Sequence, residues 1–319
     1  MLKSAAKIAV SLKIDHFANS VVGRFSRRFQ ILTYHKVSPD EHPFFEPTHP
    51  DLFDKQMQFL NQYYEVLPLT ELVDRSQRGD VPNRAVAITF DDGYRDNYDF
   101  AFPILKKYRL RATVFVATGV IGTGKVLWHD RIFDAFRFAT AQQMRRESRE
   151  ALEKRLQMTL DRARELYGQD QQRWVSEVER ELDPSFPPGY AQHMLTWAQI
   201  REMHTAGIEF GSHTVTHPIL SRIPRHELLK ELRESKQQLA DQLGAGIVSF
   251  AYPNGKAPDY NNEVKEALRQ CGYSYAVTAR PGVNRQFSDP FELRRAQPWQ
   301  KEIELFRMSF FLQRHGLAS

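Results

Sequence analysis

From residue 30 onward the chain alternates short apolar runs with longer amphipathic stretches, and this alternation restricts the fold more than any other feature. Strand-like runs fall at residues 31–34, 86–90, 112–117, 208–212, 248–252, 273–278 and 292–296. Helical periodicity lies between and after them at 52–64, 97–108, 197–206, 225–243, 261–271 and 302–313. Strands that alternate with helices pair in parallel, because each crossover helix returns the chain to the starting edge of the sheet. The expectation is an α/β fold. Both closed and open sheets of this kind build their sites at the carboxyl ends of strands.

The chemistry-bearing residues fall at such ends. His35, Asp91-Asp92, His213 and the turn Tyr252-Pro253-Asn254-Gly255 each close a strand-like run or directly follow one. Four separated segments would therefore meet on one rim.

Residues 123–195 break the rhythm. Stretches 142–167 and 171–182 are highly charged and helical by composition, and a proline-rich corner follows at 184–189. Their apolar content is too thin for a core of their own, so they read as a helical insertion in the barrel.

Charge is unevenly placed. The net charge is +5, yet Lys3, Lys7, Lys13, Arg24, Arg27 and Arg28 face only Asp15 within residues 1–30. The other 289 residues are close to neutral, so nothing draws the main body toward nucleic acid. Val10, Ile14, Phe17, Val21 and Phe25 recur at helical spacing in a basic amphipathic segment, residues 1–29. Such a helix packs on the barrel or a partner, or lies on an anionic membrane surface. Contact with a polymer-synthesis complex is a further expectation for it.

No apolar run is long enough for a transmembrane helix, and no signal peptide is read. The expected location is the cytoplasm or the inner face of the membrane. A single cysteine, Cys271, excludes an intramolecular disulfide.

Asp91 and Asp92 point in different directions if the strand persists, so one can ligate a metal while the other holds a water. An Asp-Asp-Gly sequence is also a common turn and helix cap. His213 and His217, four residues apart, meet on one face if their segment coils helically. With Asp92 they make a His-His-Asp set suited to one divalent ion, zinc foremost, with Fe, Co, Ni or Mn also accommodated. Trp128 and Asp130 open the insertion and either contact a sugar or anchor the insertion. Tyr252 is a further expected substrate contact.

TFDDGYRDNY at 89–98, SHTVTH at 212–217 and FAYPNGK at 250–256 resemble the motifs of the polysaccharide deacetylase family, the NodB-homology or carbohydrate esterase family 4 domain. The resemblance spans roughly residues 30–300, with the insertion as an extra. It implies a distorted (β/α) barrel of the NodB type and metal-dependent removal of N-acetyl groups from an N-acetylhexosamine-containing glycan. Carried over by position, Asp91 is the base for the attacking water, and Asp92, His213 and His217 hold the metal. A backbone N–H near Asn254 stabilises the oxyanion, in a turn shaped by Pro253 and Gly255.

Two departures follow. The arginine of the family's third motif is replaced here by Phe250 or Ala251, and the late Leu-x-His acid motif is missing. Arg295 resembles the late arginine of the FAYP-type branch, with its neighbour Arg294 the weaker match; the alternative is a solvated arginine on an edge strand. Leu32-Thr33-Tyr34-His35 resembles the strand end that supplies the acid histidine in the biofilm-polysaccharide branch. Two alternatives stand beside this function: deacetylation of a lipid-linked or nucleotide-linked sugar, and a catalytically silent glycan-binding module.

Overall fold

The computed structural model describes residues 28–139, 148–186 and 193–315. Residues 1–27 of the amphipathic segment expected at 1–29 lie outside them. Strand β1 (Arg28–Tyr34) begins slightly before the expected boundary and leads to helix α1 (Pro50–Tyr63), short strand β2 (Glu65–Val66) and α2 (Leu69–Arg78). Next come β3 (Ala85–Phe90), α3 (Phe102–Tyr108) and β4 (Thr113–Val116). The insertion supplies α4 (Trp128–Phe138), α5 (Arg149–Glu165) and α6 (Gly168–Leu182). Then follow α7 (Trp197–Thr205), β5 (Glu209–Ser212), α8 (Arg225–Leu243), β6 (Ser249–Ala251) and α9 (Asn262–Gln270). Strands β7 (Tyr275–Val277) and β8 (Asn284–Arg285) and helix α10 (Ile303–His315) complete the described chain.

The sheet runs β7-β6-β5-β4-β3-β1, parallel throughout, with β8 antiparallel on β1 and β2 parallel to β3. Residues 293–296 lie between its two ends. The Leu293 N–H donates to Ala276 at 3.2 Å, and the Ala296 N–H donates to Ile31 at 2.7 Å. The expected last strand is therefore present as a bridging segment that closes a distorted β/α barrel.

Period-two alternation divides the strand side chains into two cores. Phe29, Ile31, Ala85, Ala87, Phe115, Ala251, Tyr275, Val277 and Leu293 fill the inside. Val86, Ile88, Phe90, Val114, Val116, Phe210 and Phe250 pack beneath the helices. The interior is tight: a Cβ on Gly211 would stand 2.5 Å from the Phe115 ring. The insertion does form a small core, contrary to expectation, because Trp128, Ile132 and Phe136 of α4 pack with Leu156, Leu160, Val175 and Val178.

Helix α3 starts later than expected. Pro103 has no N–H to donate to Asp99, and a π turn, Asn97–Ala101, precedes the helix. Among the described residues no helix is long and apolar enough to cross a membrane.

Candidate active site

The same alternation aims the site. Continuing inward from Phe29 and Ile31 gives Thr33 and then His35; from Ala85 and Ala87 it gives Thr89 and then Asp91. Gly211 is followed on its face by His213, and Leu293 by Arg295. Four segments thus send a polar side chain to one mouth of the barrel.

Asp91 is 3% exposed, and Arg295, 2% exposed, holds both its carboxylate oxygens: Nη1 to Oδ1 at 2.7 Å and Nη2 to Oδ2 at 2.6 Å. Arg295 Nε donates to the Thr278 carbonyl at 2.8 Å, and Nη1 also reaches Thr89 Oγ1 at 3.2 Å. This burial overturns the alternative of a solvated edge arginine. Burial alone would raise the Asp91 pKa, but the charge and hydrogen bonds of Arg295 outweigh it and hold the carboxyl below its usual range.

Asp92 turns away from Asp91 at φ 76°, followed by Gly93 at φ 85°. A Cβ on Gly93 would approach Val116 Cγ1 at 2.8 Å, so only glycine fits this turn. The Nε2 atoms of His213 and His217 each lie 3.5 Å from Asp92 Oδ1, and the three donor atoms fall within 4.8 Å of one another. His213 Nδ1 lies 2.7 Å from the Ala251 carbonyl; as the donor there it leaves the Nε2 lone pair facing Asp92. Asp92 Oδ1 is buried without a hydrogen-bond partner. Burial and the neighbouring imidazoles keep His217 neutral, with a pKa well below the usual histidine value. One carboxylate oxygen lacking a donor, facing two imidazole nitrogens, is a donor set that fits a divalent cation.

The His213–His217 segment is not helical, so the two imidazoles meet through a turn and not on a helix face. Thr214 and His217 take positive φ, 69° and 60°. The His217 N–H donates to Thr214 Oγ1 at 2.9 Å, and Glu231 of α8 accepts from the N–H groups of Val215 and Thr216 at 2.7 and 3.0 Å and from the Thr216 hydroxyl at 2.6 Å. A buried carboxylate thus replaces the hydrogen bonds a helix would have supplied. Nothing local in the sequence marks Glu231 for this task.

His35 is partly exposed, its Nε2 3.9 Å from Asp91 Oδ2, and Asn97 Nδ2 donates to its carbonyl at 2.8 Å. A cleft of about 810 Å³ opens beside it, lined by His35, Phe45, Asn254, Lys256 and Trp299 among others. Asn254 has φ 55°, and its side-chain amide nitrogen is buried without an acceptor. The turn around it is compact: a Cβ on Gly255 would stand 2.6 Å from the Ala279 nitrogen, and the Gly255 N–H donates to Pro253 at 2.7 Å.

Three expected substrate contacts are buried instead. Tyr252 stacks on Tyr260 with ring centroids 4.3 Å apart, and its hydroxyl donates to the Phe291 carbonyl at 2.9 Å. Trp128 is 3% exposed and donates Nε1–H to the His217 carbonyl at 2.9 Å. Asp130 accepts from Lys36 Nζ and from the Tyr94 hydroxyl, each at 3.1 Å. The Tyr252 hydroxyl, Trp128 Nε1 and Asp130 Oδ1 each meet a partner distant in sequence, while Asp130 Oδ2 is buried without one, so burial leaves these side chains no free face for a sugar. His129, which sequence reasoning passed over, stands 4.0 Å from Asp92 Oδ2.

The polysaccharide deacetylase family model matches residues 78–276. A Bacillus subtilis (strain 168) relative named for that family, YxkH, is 25% identical over 247 residues, covering 77% of this chain and 63% of that one. A stretch of 72 residues is 42% identical to the poly-β-1,6-N-acetyl-D-glucosamine N-deacetylase of Staphylococcus epidermidis, covering 22% of this chain and 25% of that enzyme. The chain thus spans less than two thirds of these curated relatives. The Streptococcus pyogenes deacetylase PplD, solved in complex with acetate, is similar with a TM-score of 0.58 and 25% identity, over 85% of this chain and 92% of that one. IcaB from Ammonifex degensii shares the fold with a TM-score of 0.60 at 21% identity, over 88% of this chain and 97% of that one. The match to the family covers well over half of the chain and includes Asp91, Asp92, His213, His217 and the 252–255 turn, and on that match the chain belongs to the polysaccharide deacetylase family.

Proposed function

We propose that this chain is a metal-dependent N-deacetylase acting on an N-acetylhexosamine-containing glycan. The observation that carries the reading is a buried carboxylate, Asp91, gripped by Arg295 and directly beside the Asp92–His213–His217 donor set. Asp92, His213 and His217 hold the ion. A divalent cation bound there supplies positive charge that acidifies a water and polarises the amide oxygen.

The remaining steps belong to the chain. Asp91, kept ionised by Arg295, accepts the proton of the attacking water, and the bidentate grip fixes which lone pairs face that water. The water oxygen adds to the acyl carbon. A backbone N–H near Asn254, whose turn lines the cleft, serves the developing oxyanion. As the C–N bond breaks, His35 protonates the leaving nitrogen, so that acetate and a free amine depart. Its partial exposure and its place in the cleft suit a group that reaches the leaving group.

The glycan assignment rests on the family and on the activity for which the Staphylococcus epidermidis relative is named. Incubation with N-acetylglucosamine and its oligomers of rising length, with released acetate and free amine quantified, tests it. Equimolar acetate and amine from oligomers is the expected outcome. Metal binding without release from any of them would move the substrate to another acylated sugar.

A further inference from the structure

The insertion enters the barrel mouth through the first turn of α4, and its first three residues touch three different parts of the site. Successive helix residues point about 100° apart, so three in a row fan across a wide arc. Trp128 donates to the carbonyl of His217, a non-glycine residue held at φ 60°. That backbone conformation is unfavourable and persists only where neighbours enforce it. The His129 ring lies 4.8 Å from the His217 ring, and its Nε2 is 4.0 Å from Asp92 Oδ2. This is the second oxygen of Asp92; Oδ1 is the one at 3.5 Å from both metal-site imidazoles. Asp130 accepts from Lys36, which follows His35 in sequence and lies 4.2 Å over the Tyr94 ring.

Resting on the functional reading above, we propose that Trp128, His129 and Asp130 form a positioning element for the metal centre, supplied by the insertion. Trp128 fixes the strained main chain of one ligand. His129 stands against the outer oxygen of another, its Nε2 4.0 Å from Asp92 Oδ2 and 3.4 Å from the Tyr94 hydroxyl, leaving the inner oxygen directed at the ion. Asp130 locks the turn to the strand end that carries His35. Outer partners of this kind orient ligands and tune affinity without touching the ion. The insertion is therefore part of the active site and not a detachable lid.

The test uses the full chain stripped of metal and titrated with Zn²⁺ by calorimetry and with Co²⁺ by its visible absorption. Trp128→Phe keeps an aromatic but loses the N–H, His129→Leu keeps bulk but loses the imidazole, and His129→Gln restores a donor. Trp128→Phe and His129→Leu are expected to weaken metal binding about ten- to a hundred-fold. His129→Gln should recover most of that loss, and the Co²⁺ band should shift in His129→Leu. The melting temperature of the metal-free variants should stay close to wild type. Wild-type affinity and spectrum in both loss variants would overturn the proposal, as would affinity losses matched by equal damage to the metal-free fold in both. A wild-type chain that binds no metal would instead overturn the functional reading beneath it.

Discussion

Arg295 and Asp91 meet through two short parallel hydrogen bonds across 204 residues of chain, both side chains almost wholly out of water. Two charges brought into a protein interior lose hydration, and each is tolerated through the other. Removing the guanidinium leaves an uncompensated carboxylate. Arg295→Met is therefore expected to lower the unfolding free energy of the metal-free chain by about 3–5 kcal/mol, read by urea denaturation. Adding Asp91→Leu should restore much of that loss while leaving the protein inactive. Equal stability of the single and double variants would contradict the pairing argument.

If His35 protonates the leaving amine, its loss should matter in proportion to how poor the leaving group is. His35→Ala is expected to slow N-acetyl hydrolysis by about 10²–10⁴-fold. Hydrolysis of 4-nitrophenyl acetate, whose phenolate departs without help, should fall far less. Equal losses on both substrates would assign His35 to positioning.

Glu231 holds the loop between His213 and His217 through bonds to two N–H groups and a hydroxyl. Hydrogen bonds to a charged group contribute about 1.5–3 kcal/mol each in mutational series. Glu231→Ala should cost several times the typical surface substitution in urea unfolding and should also weaken metal binding, since the loop carries His217. A variant with normal stability and normal metal affinity would show that the loop holds itself.

A pH effect follows from Asp96, whose carboxyl is pushed up to about 7 by burial, opposed by Lys36, a backbone bond from Val37 and Asn97, and reinforced by Asp130. In the unfolded chain an aspartate loses its proton near pH 4. Between that value and about 7 the folded chain keeps a proton that the unfolded chain has released, so this group makes stability fall as pH rises. Above about 7 the contribution levels off. Asp96→Asn removes the effect, and its melting temperature relative to wild type should climb from pH 4 to pH 7 and then stay flat. A constant difference across that range would refute the shift.

Much of this molecule was legible in its sequence, for identifiable reasons. Strand β3 is apolar from Ala85 to Phe90 except for Thr89 and ends on two aspartates, so both its burial and the location of its charged end were readable. The placement of Asp91, Asp92, His213 and His217 together follows from parallel strands ending at one rim. Arg295 remained ambiguous because its strand is only a bridging segment; its parity with buried Leu293 is the signal that points it inward. That His213 and His217 meet through a turn and not a helix was not legible, because nothing in Thr214 or His217 advertises a positive φ, and their support comes from α8. Tyr252 was expected at a sugar, and Trp128 and Asp130 either at a sugar or as anchors of the insertion, because aromatic and acidic residues suit both. Their partners, Phe291, His217 and Lys36, lie 39, 89 and 94 residues away, where no local pattern reaches.

The most direct test of the central claim is acetate release from N-acetylglucosamine oligomers by wild type and Asp91→Asn, each assayed as purified, stripped of metal and reloaded. The account predicts release by wild type that vanishes on stripping and returns on reloading, and none by Asp91→Asn although it still binds the ion. Release by metal-free wild type, or undiminished release by Asp91→Asn, would contradict it.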